Sequence, residues 1–130
     1  MSKARLISDL LAEFVLGAKL KRIPAEVQRW TKLLILDAIG NAYASSRYEF
    51  AQRALSALKA LGEGVSCVIG SDTRLALRDA VLMNGTLIHG LDYDDTYLPG
   101  ATHLGASCFP TRSRISTRLR AGRFHSRAIS

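Results

Sequence analysis

The sequence has few of the residues that mark secreted or membrane proteins. Its 130 residues include two cysteines and three prolines. A small secreted domain held by disulfides normally has more cysteines, so Cys67 and Cys108 are predicted to be buried or partly buried thiols in a reducing compartment. No apolar run approaches the ~20 residues that a membrane-spanning helix requires; even Leu33–Leu36 is followed at once by Asp37. We therefore expect no membrane span.

The N-terminal segment also lacks the pattern of a targeting peptide. Asp9 and Glu13 interrupt the apolar stretch that a secretory signal requires. A transit peptide would be poor in acidic residues, and this segment contains two of them. The segment is better interpreted as a helix of the mature protein, and the expected location is the cytoplasm.

Acidic residues are absent from the last part of the chain. Residues 112–130 contain six arginines and no acidic residue, whereas residues 1–111 contain 12 Lys/Arg and 11 Asp/Glu. The formal charge of +7 is therefore almost entirely in the tail. A near-neutral body argues against nucleic-acid binding by the protein as a whole. The tail has only Phe124 for base stacking, so nucleic acid is not the expected partner.

Apolar residues at three- to four-residue spacing predict a mainly α-helical body. Pro24 separates the first two helices, because proline fits the first turn of a helix. Gly62 and Gly64 are expected to end the third helix. The β-branched stretch from Val65 to Gly70 predicts one short strand near residues 65–69. The predicted helices span about residues 3–21, 24–44, 49–61 and 75–91, and a further helix can begin within 103–110.

Two of these helices carry further expectations. Residues 33–40 of the second helix are apolar nearly all round, which predicts a central position in the core. Asp37, inside that stretch, is expected to reach a neighbour or an edge rather than to act in catalysis. Asn84-Gly85 usually indicates a turn. Because the apolar period of the fourth helix continues through it, we expect a helix with a close backbone approach at Gly85.

The chain changes character after Thr111. Residues 112–130 are rich in arginine and serine and hold no sustained helical stripe, which predicts a disordered tail. We therefore divide the chain into a body at residues 1–111 and a tail at residues 112–130.

Residues 84–105 bring together most of the side chains that can carry chemistry. Asp92, Asp94 and Asp95 repel one another unless cations, hydrogen bonds or a function compensate. A solvated acidic turn is one explanation of such a cluster. An EF-hand loop beginning at Asp92 does not fit, because Tyr97 and His103 stand where glycine and glutamate are required.

Two kinds of functional site are left for this stretch. A zinc site at His89, Asp92 and His103 would have suitable ligand types, but no recognised metal spacing matches, so no metal is predicted. An acid–base site is favoured, because a carboxylate, a hydroxyl and an imidazole on one loop can bind a polar substrate and move a proton. The candidate catalytic residues are Asp92, Thr96 and His103.

The same stretch resembles the N-terminal signature of the MmgE/PrpD family, the 2-methylcitrate dehydratase-like proteins. That signature reads asparagine-glycine, then histidine-x-x-aspartate-aromatic-aspartate-aspartate-threonine, then a loop ending in histidine-x-glycine. The order of helices and strand upstream also agrees, and the resemblance covers about residues 5–111. The matching residues are Asn84, Gly85, His89, Asp92, Tyr93, Asp94, Asp95, Thr96, His103 and Gly105.

The resemblance implies a lyase, a hydro-lyase or decarboxylase acting on small di- and tricarboxylates without a metal or other cofactor. It also implies a helical domain, a separate α+β domain and a homodimer. Within the site it implies an acid/base role for His103 and a substrate hydrogen bond from Thr96. Asp92 would be an acid/base group or the orienter of a histidine. The family's further site groups lie downstream, so this chain is expected to be a truncated member, inactive alone and prone to self-association.

The alternative function is a small binding protein that uses its arginine-rich tail on nucleic acid or an acidic partner. Salt-sensitive binding retained by residues 112–130 alone would favour this alternative. Perturbation of Thr96 and His103 by citrate-like ligands would favour the lyase.

We predict that residues 112–130 are a frameshifted translation. The composition breaks where the resemblance leads us to expect a helix rich in small residues and leucine. If arginine is CGN and serine TCN in residues 112–116, reading one base earlier gives a pattern similar to Ala-Leu-Ala-x-Leu. Resequencing of the gene should reveal a family-like continuation in another frame. A gene with none in either frame would make the segment a genuine basic tail.

Overall fold

The computed structural model of the chain describes residues 6–110. The predicted tail at residues 112–130, its disorder and the body boundary at residue 111 lie outside the described residues. Two compact units are distinguished, with the division between Leu33 and Leu34, and each is described by itself.

The first unit begins with a helix that is shorter than predicted. Helix α1 ends at Gly17, a poor helix former, and the backbone of the next two residues is extended. The Gln28 side-chain amide donates to the carbonyl oxygens of Leu20 at 3.1 Å and Ile23 at 2.8 Å. The Leu20 carbonyl also accepts from the Ile23 amide at 3.2 Å, so the Gln28 side chain adds a second bond to the turn. The unit contains α1 (Ile7–Gly17), a 3-10 turn (Leu20–Arg22) and the first part of α2 (Ala25–Ser45).

The second unit contains the rest of α2 and is mainly helical, as the sequence predicts. Its α3 and α4 lie within the predicted limits, and α5 lies within the segment where a further helix was expected. The remaining elements are α3 (Glu49–Lys59), β1 (Ser66–Cys67), β2 (Arg74–Leu75), α4 (Leu77–His89), a 3-10 turn (Leu98–Gly100) and α5 (Leu104–Cys108).

The predicted single strand is one half of a two-stranded hairpin. Ser66 pairs with Leu75 and Cys67 with Arg74 in antiparallel register. Gly70, between the strands, has a φ of 75°, which glycine adopts without steric cost. The sequence interpretation missed β2 because the apolar period of the fourth helix runs back into Leu75. Because Arg74 and Leu75 pair with β1, α4 begins only at Leu77.

The core of the second unit is built from small and aliphatic side chains, with α4 contributing the most. The prediction that α2 is central to the core is wrong. Leu36, in the second unit, is 67% exposed, and α2 buries only Ala38, Ala42 and Ser45. A helix that is apolar all round is buried only where neighbours surround it. The core residues are Ala38, Ala42, Ala51, Val68, Leu75, Ala80, Met83, Leu87 and Ile88.

The two cysteines differ in their exposure to solvent, and Asp37 is exposed. Cys67 is half-buried, as expected, but Cys108 is exposed, because α5 buries only Gly105. Asp37 is exposed and accepts a hydrogen bond from Asn41 Nδ2 at 3.1 Å, which agrees with the expectation that its side chain reaches a neighbour or an edge. None of the described helices is long and apolar enough to cross a membrane.

Asn84 and Gly85 hold α4 against its neighbours. The buried Asn84 side chain accepts a hydrogen bond from the Ile69 amide at 2.9 Å and donates one to the Cys67 carbonyl at 3.1 Å. These bonds satisfy backbone groups at the strand that lack a second strand partner. A Cβ on Gly85 would lie 3.1 Å from the carbonyl oxygen of Ala106, which confirms the predicted close approach. The dipeptide that resembles a turn is therefore a packing device inside a helix.

Gly64 provides a test of the hairpin packing. A Cβ at this position would overlap the backbone atoms of Leu75 and Ala76. We therefore expect Gly64→Ala to lower the free energy of unfolding by about 1–3 kcal/mol, the usual cost of overpacking, as measured by urea denaturation. Gly40→Ala is the control, because a Cβ there meets nothing within 4 Å. Replacing this helical glycine should stabilise by about 0.5–1 kcal/mol; equal effects of the two substitutions would contradict the packing described.

Candidate functional site

The three predicted site residues lie together in the loop between α4 and α5. His103 is at the centre of this group. Its Nδ1 atom lies 3.5 Å from Thr96 Oγ1, and its Nε2 atom lies 3.8 Å from Asp92 Oδ1. Residues separated by up to 11 positions along the chain are thus brought into one cluster, within reach of a single small substrate.

The loop reverses direction at two places to achieve this. At its start, the Asp92 amide donates to the His89 carbonyl at 2.8 Å. Asp92 itself has a φ of 56°, in the left-handed region that aspartate tolerates better than most residues. Further on, Tyr97 and Thr102 exchange backbone hydrogen bonds of 2.9 and 3.4 Å around the second 3-10 turn. This closure returns the chain to Thr96 and places His103 beside it.

Asp95 attaches the loop to α5. Its Oδ1 atom accepts a hydrogen bond from the Gly105 amide at 2.8 Å. This amide is in the first turn of α5, where N–H groups have no partner inside the helix. A Cβ on Gly105 would overlap Asp95 Oδ1. The glycine that ends the histidine-x-glycine motif is therefore required by this contact.

The three neighbouring carboxylates avoid mutual repulsion by having different environments. The Asp94 side chain is 1% exposed, and its Oδ1 atom accepts from His89 Nδ1 at 3.0 Å and lies 3.3 Å from His103 Nδ1. The Asp92 side chain is 79% exposed and is stabilised by water. Asp95 has the Gly105 amide. Hydrogen bonds and hydration thus supply the compensation that the sequence required.

His89 and Asp94 belong to the cluster but were not among the predicted site residues. The imidazole rings of His89 and His103 lie with their centroids 4.6 Å apart. Both residues are part of the family signature, but nothing in the sequence shows which of three aspartates turns inward. The one available signal is the position of His89 in the last turn of α4, close in sequence to the carboxylates.

The geometry bears on the argument against a metal. His89, Asp92, Asp94 and His103 each offer a ligand atom, and these atoms all lie within 4.8 Å of one another. The fold therefore brings together ligand types whose spacing in the sequence matches no recognised metal motif. Four ligands about 2.1 Å from a tetrahedral zinc ion would lie about 3.4 Å apart, so the group would have to contract to hold one. The contacts of Asp94 with the two rings account for the observed distances.

The chain is similar to one family model and to three relatives among known proteins. The sequence model of the MmgE/PrpD N-terminal domain matches residues 9–119, which extends past the body boundary predicted at residue 111. Cis-aconitate decarboxylases of Mus musculus and Homo sapiens are 26% and 28% identical over 115 residues, or 87% of this chain. The cis-aconitate decarboxylase-like protein oryM of Aspergillus oryzae is 29% identical over 101 residues, or 77% of the chain. The matches span only 23%, 24% and 21% of these three relatives.

The bond between Asp95 and Gly105 predicts a local effect of mutation. Asp95→Ala leaves the Gly105 amide without its acceptor, at a cost of about 1–3 kcal/mol. We expect faster hydrogen exchange of that amide, measured by NMR, and a lower free energy of unfolding. Asp95→Asn is the matched control, because its side-chain oxygen can still accept. Equal protection of Gly105 in the wild type and Asp95→Ala would show that the bond does not hold the loop.

Proposed function

The chain belongs to the MmgE/PrpD family, and from this premise we propose that it forms the acid–base part of a lyase site for a small di- or tricarboxylate. The observation that carries the proposal is the meeting of Asp92, Thr96 and His103 at the end of α4. Three relatives are named as cis-aconitate decarboxylases or a protein like them. The signature also resembles that of 2-methylcitrate dehydratases. Both reactions need proton transfer at a carbon near a carboxylate.

His103 is the proposed proton carrier. Its Nδ1 atom is engaged by Thr96 and Asp94, which leaves Nε2 as the atom that can exchange a proton with substrate. In a decarboxylation, the C–C bond breaks and carbon dioxide leaves, and the electron pair left on carbon would take the proton from Nε2 of His103 in its imidazolium form. In a dehydration, a base removes a proton from carbon and an acid protonates the leaving hydroxyl group. Asp92, 3.8 Å from Nε2, would stabilise the imidazolium form.

Thr96 is proposed to bind the substrate. The residue is exposed, and its hydroxyl group lies beside the imidazole that would transfer the proton. The hydroxyl donates to the Asp94 carbonyl at 3.4 Å without substrate. On binding, it would turn to donate to a substrate carboxylate while still accepting from His103 Nδ1. Its position would therefore align a carboxylate with the Nε2 side of His103.

The described cluster does not supply the positive charge that a tricarboxylate needs. Two arginines within residues 6–110 are paired away from the cluster, Arg53 with Glu49 and Arg78 with Asp79. The hydrogen bond to Asp79 also raises the pKa of the Arg78 guanidinium. Anionic substrate groups require preorganised donors. The cluster offers one hydroxyl, and its two imidazoles can donate from Nε2 only when protonated. We therefore propose that cationic groups from other segments or a second subunit complete the site.

A ligand titration tests the proposed site. We expect cis-aconitate and 2-methylcitrate to shift the backbone NMR signals of Thr96 and His103 in the 130-residue chain, because the cluster binds a carboxylate weakly. Turnover of both compounds should stay at background, because the cationic donors are absent from the cluster. Thr96→Val should reduce the shifts. Asp37→Asn, on the exposed part of α2, is the control and should leave them unchanged.

Two results would contradict this proposal. Shifts confined to residues 112–130 would indicate anion binding by the arginine-rich segment instead. Robust turnover that disappears in His103→Ala would show that the described cluster needs no further donors.

Self-association is the second proposal, together with a homodimeric full-length protein in the cytoplasm. Helix α1 buries none of its residues, and Phe14 and Leu16 are 75% and 85% exposed. Exposed apolar patches of this kind commonly mark interfaces. We expect sedimentation velocity to detect species larger than the 14.2 kDa monomer, with a melting temperature that rises with protein concentration. A monodisperse monomer with a sharp, cooperative melt would contradict the proposal.

A further inference from the structure

We propose that Asp94 is a positioning residue that holds both His89 and His103 in the Nδ1–H tautomer, so that each ring presents an unprotonated Nε2. Its catalytic consequence rests on the proposed function above. The tautomer assignment itself rests only on the contacts around Asp94.

The first evidence for this tautomer is the environment of the Asp94 carboxylate. The side chain is 1% exposed, and its Oδ2 atom is buried and has no hydrogen-bond partner within residues 6–110. Its polar contacts with side chains are therefore made through Oδ1, which faces His89 Nδ1 at 3.0 Å and His103 Nδ1 at 3.3 Å. An ionised carboxylate only accepts hydrogen bonds, and a buried one is costly without donors. With Asp94 ionised, a ring nitrogen that faced Oδ1 with its lone pair would be repelled, so we infer that both Nδ1 atoms carry protons.

A weaker contact from Thr96 favours the same tautomer of His103 while Asp94 is in place. The Thr96 hydroxyl donates to the backbone carbonyl of Asp94 at 3.4 Å. It can then only accept from His103 Nδ1, which lies 3.5 Å from it. Both groups that face Nδ1 of His103 are thus acceptors, and the ring is left with its lone pair at Nε2.

The carboxylates of Asp94 and Asp92 therefore have different roles at His103. Asp94 contacts the Nδ1 side of His103, where it orients the ring and sets its tautomer. Asp92 faces the Nε2 side at 3.8 Å, where the proton would be transferred. A buried aspartate that fixes a tautomer in this way sustains acid–base catalysis by histidine without itself exchanging protons. The orienting role left open for Asp92 in the sequence analysis is thus assigned to Asp94.

His89 becomes a second acid–base group under the same constraint. Its ring is hydrogen-bonded to Asp94 Oδ1, and the ring centroid lies 4.6 Å from that of His103. The His89 side chain is 51% exposed, so its Nε2 lone pair is available near the site. The cluster therefore offers two imidazoles in one tautomer around a single buried oxygen.

Long-range ¹H–¹⁵N NMR of the 130-residue chain tests this assignment directly, at a pH where the rings are neutral. We expect protonated, pyrrole-type shifts at Nδ1 and unprotonated, pyridine-type shifts at Nε2 for both His89 and His103. Signals are assigned with His89→Gln and His103→Gln. Asp94→Ala should move both rings toward the Nε2–H form that predominates in water. Asp94→Asn should retain the Nδ1–H form, because its side-chain oxygen still accepts.

Asp92→Asn is the matched control, since it removes a carboxylate charge from the same loop but on the Nε2 side, and it should leave both tautomers unchanged. Circular dichroism establishes that each variant keeps its helices. The proposal is overturned if either ring of the wild type is in the Nε2–H form, or if a folded Asp94→Ala keeps both Nδ1–H tautomers. If Asp94→Ala does not fold, the wild-type and Asp94→Asn spectra decide. None of these readouts requires turnover, so a failed ligand titration and a failed tautomer assignment are distinguishable.

Discussion

A buried carboxylate must be matched by hydrogen-bond donors, and at Asp94 this requirement determines how the loop after α4 is arranged. Two imidazoles from opposite ends of the loop approach Asp94. His89, in the last turn of α4, is hydrogen-bonded to its Oδ1 atom, and His103 Nδ1, from the residue before α5, lies 3.3 Å from the same oxygen. The left-handed backbone at Asp92 and the backbone pairing of Tyr97 with Thr102 allow the two ends to meet. The site is therefore a consequence of how the chain satisfies one buried charge.

The family signature separates into residues that build the frame and residues that carry the chemistry. Asn84 binds the backbone of β1, and Gly85 lets α5 approach α4. Asp95 and Gly105 fasten the loop to α5. The remaining polar members of the signature, His89, Asp92, Asp94, Thr96 and His103, surround a common point. The motif is long because the residues that fix the loop and the residues that carry the chemistry alternate along the same stretch of chain.

Periodicity predicted most of the fold, and its failures have physical causes. The helices were found because their apolar spacing is local information. The strand at Arg74–Leu75 was missed because its residues also fit the period of α4, and only pairing with β1 decides between the two. The burial of α2 was overestimated because an apolar helix is buried only by neighbours, which a pattern does not reveal. Asp92, Thr96 and His103 could be selected from residue type and resemblance, but the inward turn of Asp94 is a property of the folded loop.

The position of a bound tricarboxylate would show whether this loop is one wall of a small-carboxylate site. The measurement is a crystal structure of the chain with tricarballylate, which has no hydroxyl group or double bond to react. We expect a ligand carboxylate hydrogen-bonded to Thr96 Oγ1 and facing Nε2 of His103, with Nδ1 still directed at Asp94. A ligand bound only away from this loop, or a His103 ring turned so that Nδ1 faces the ligand, would contradict it.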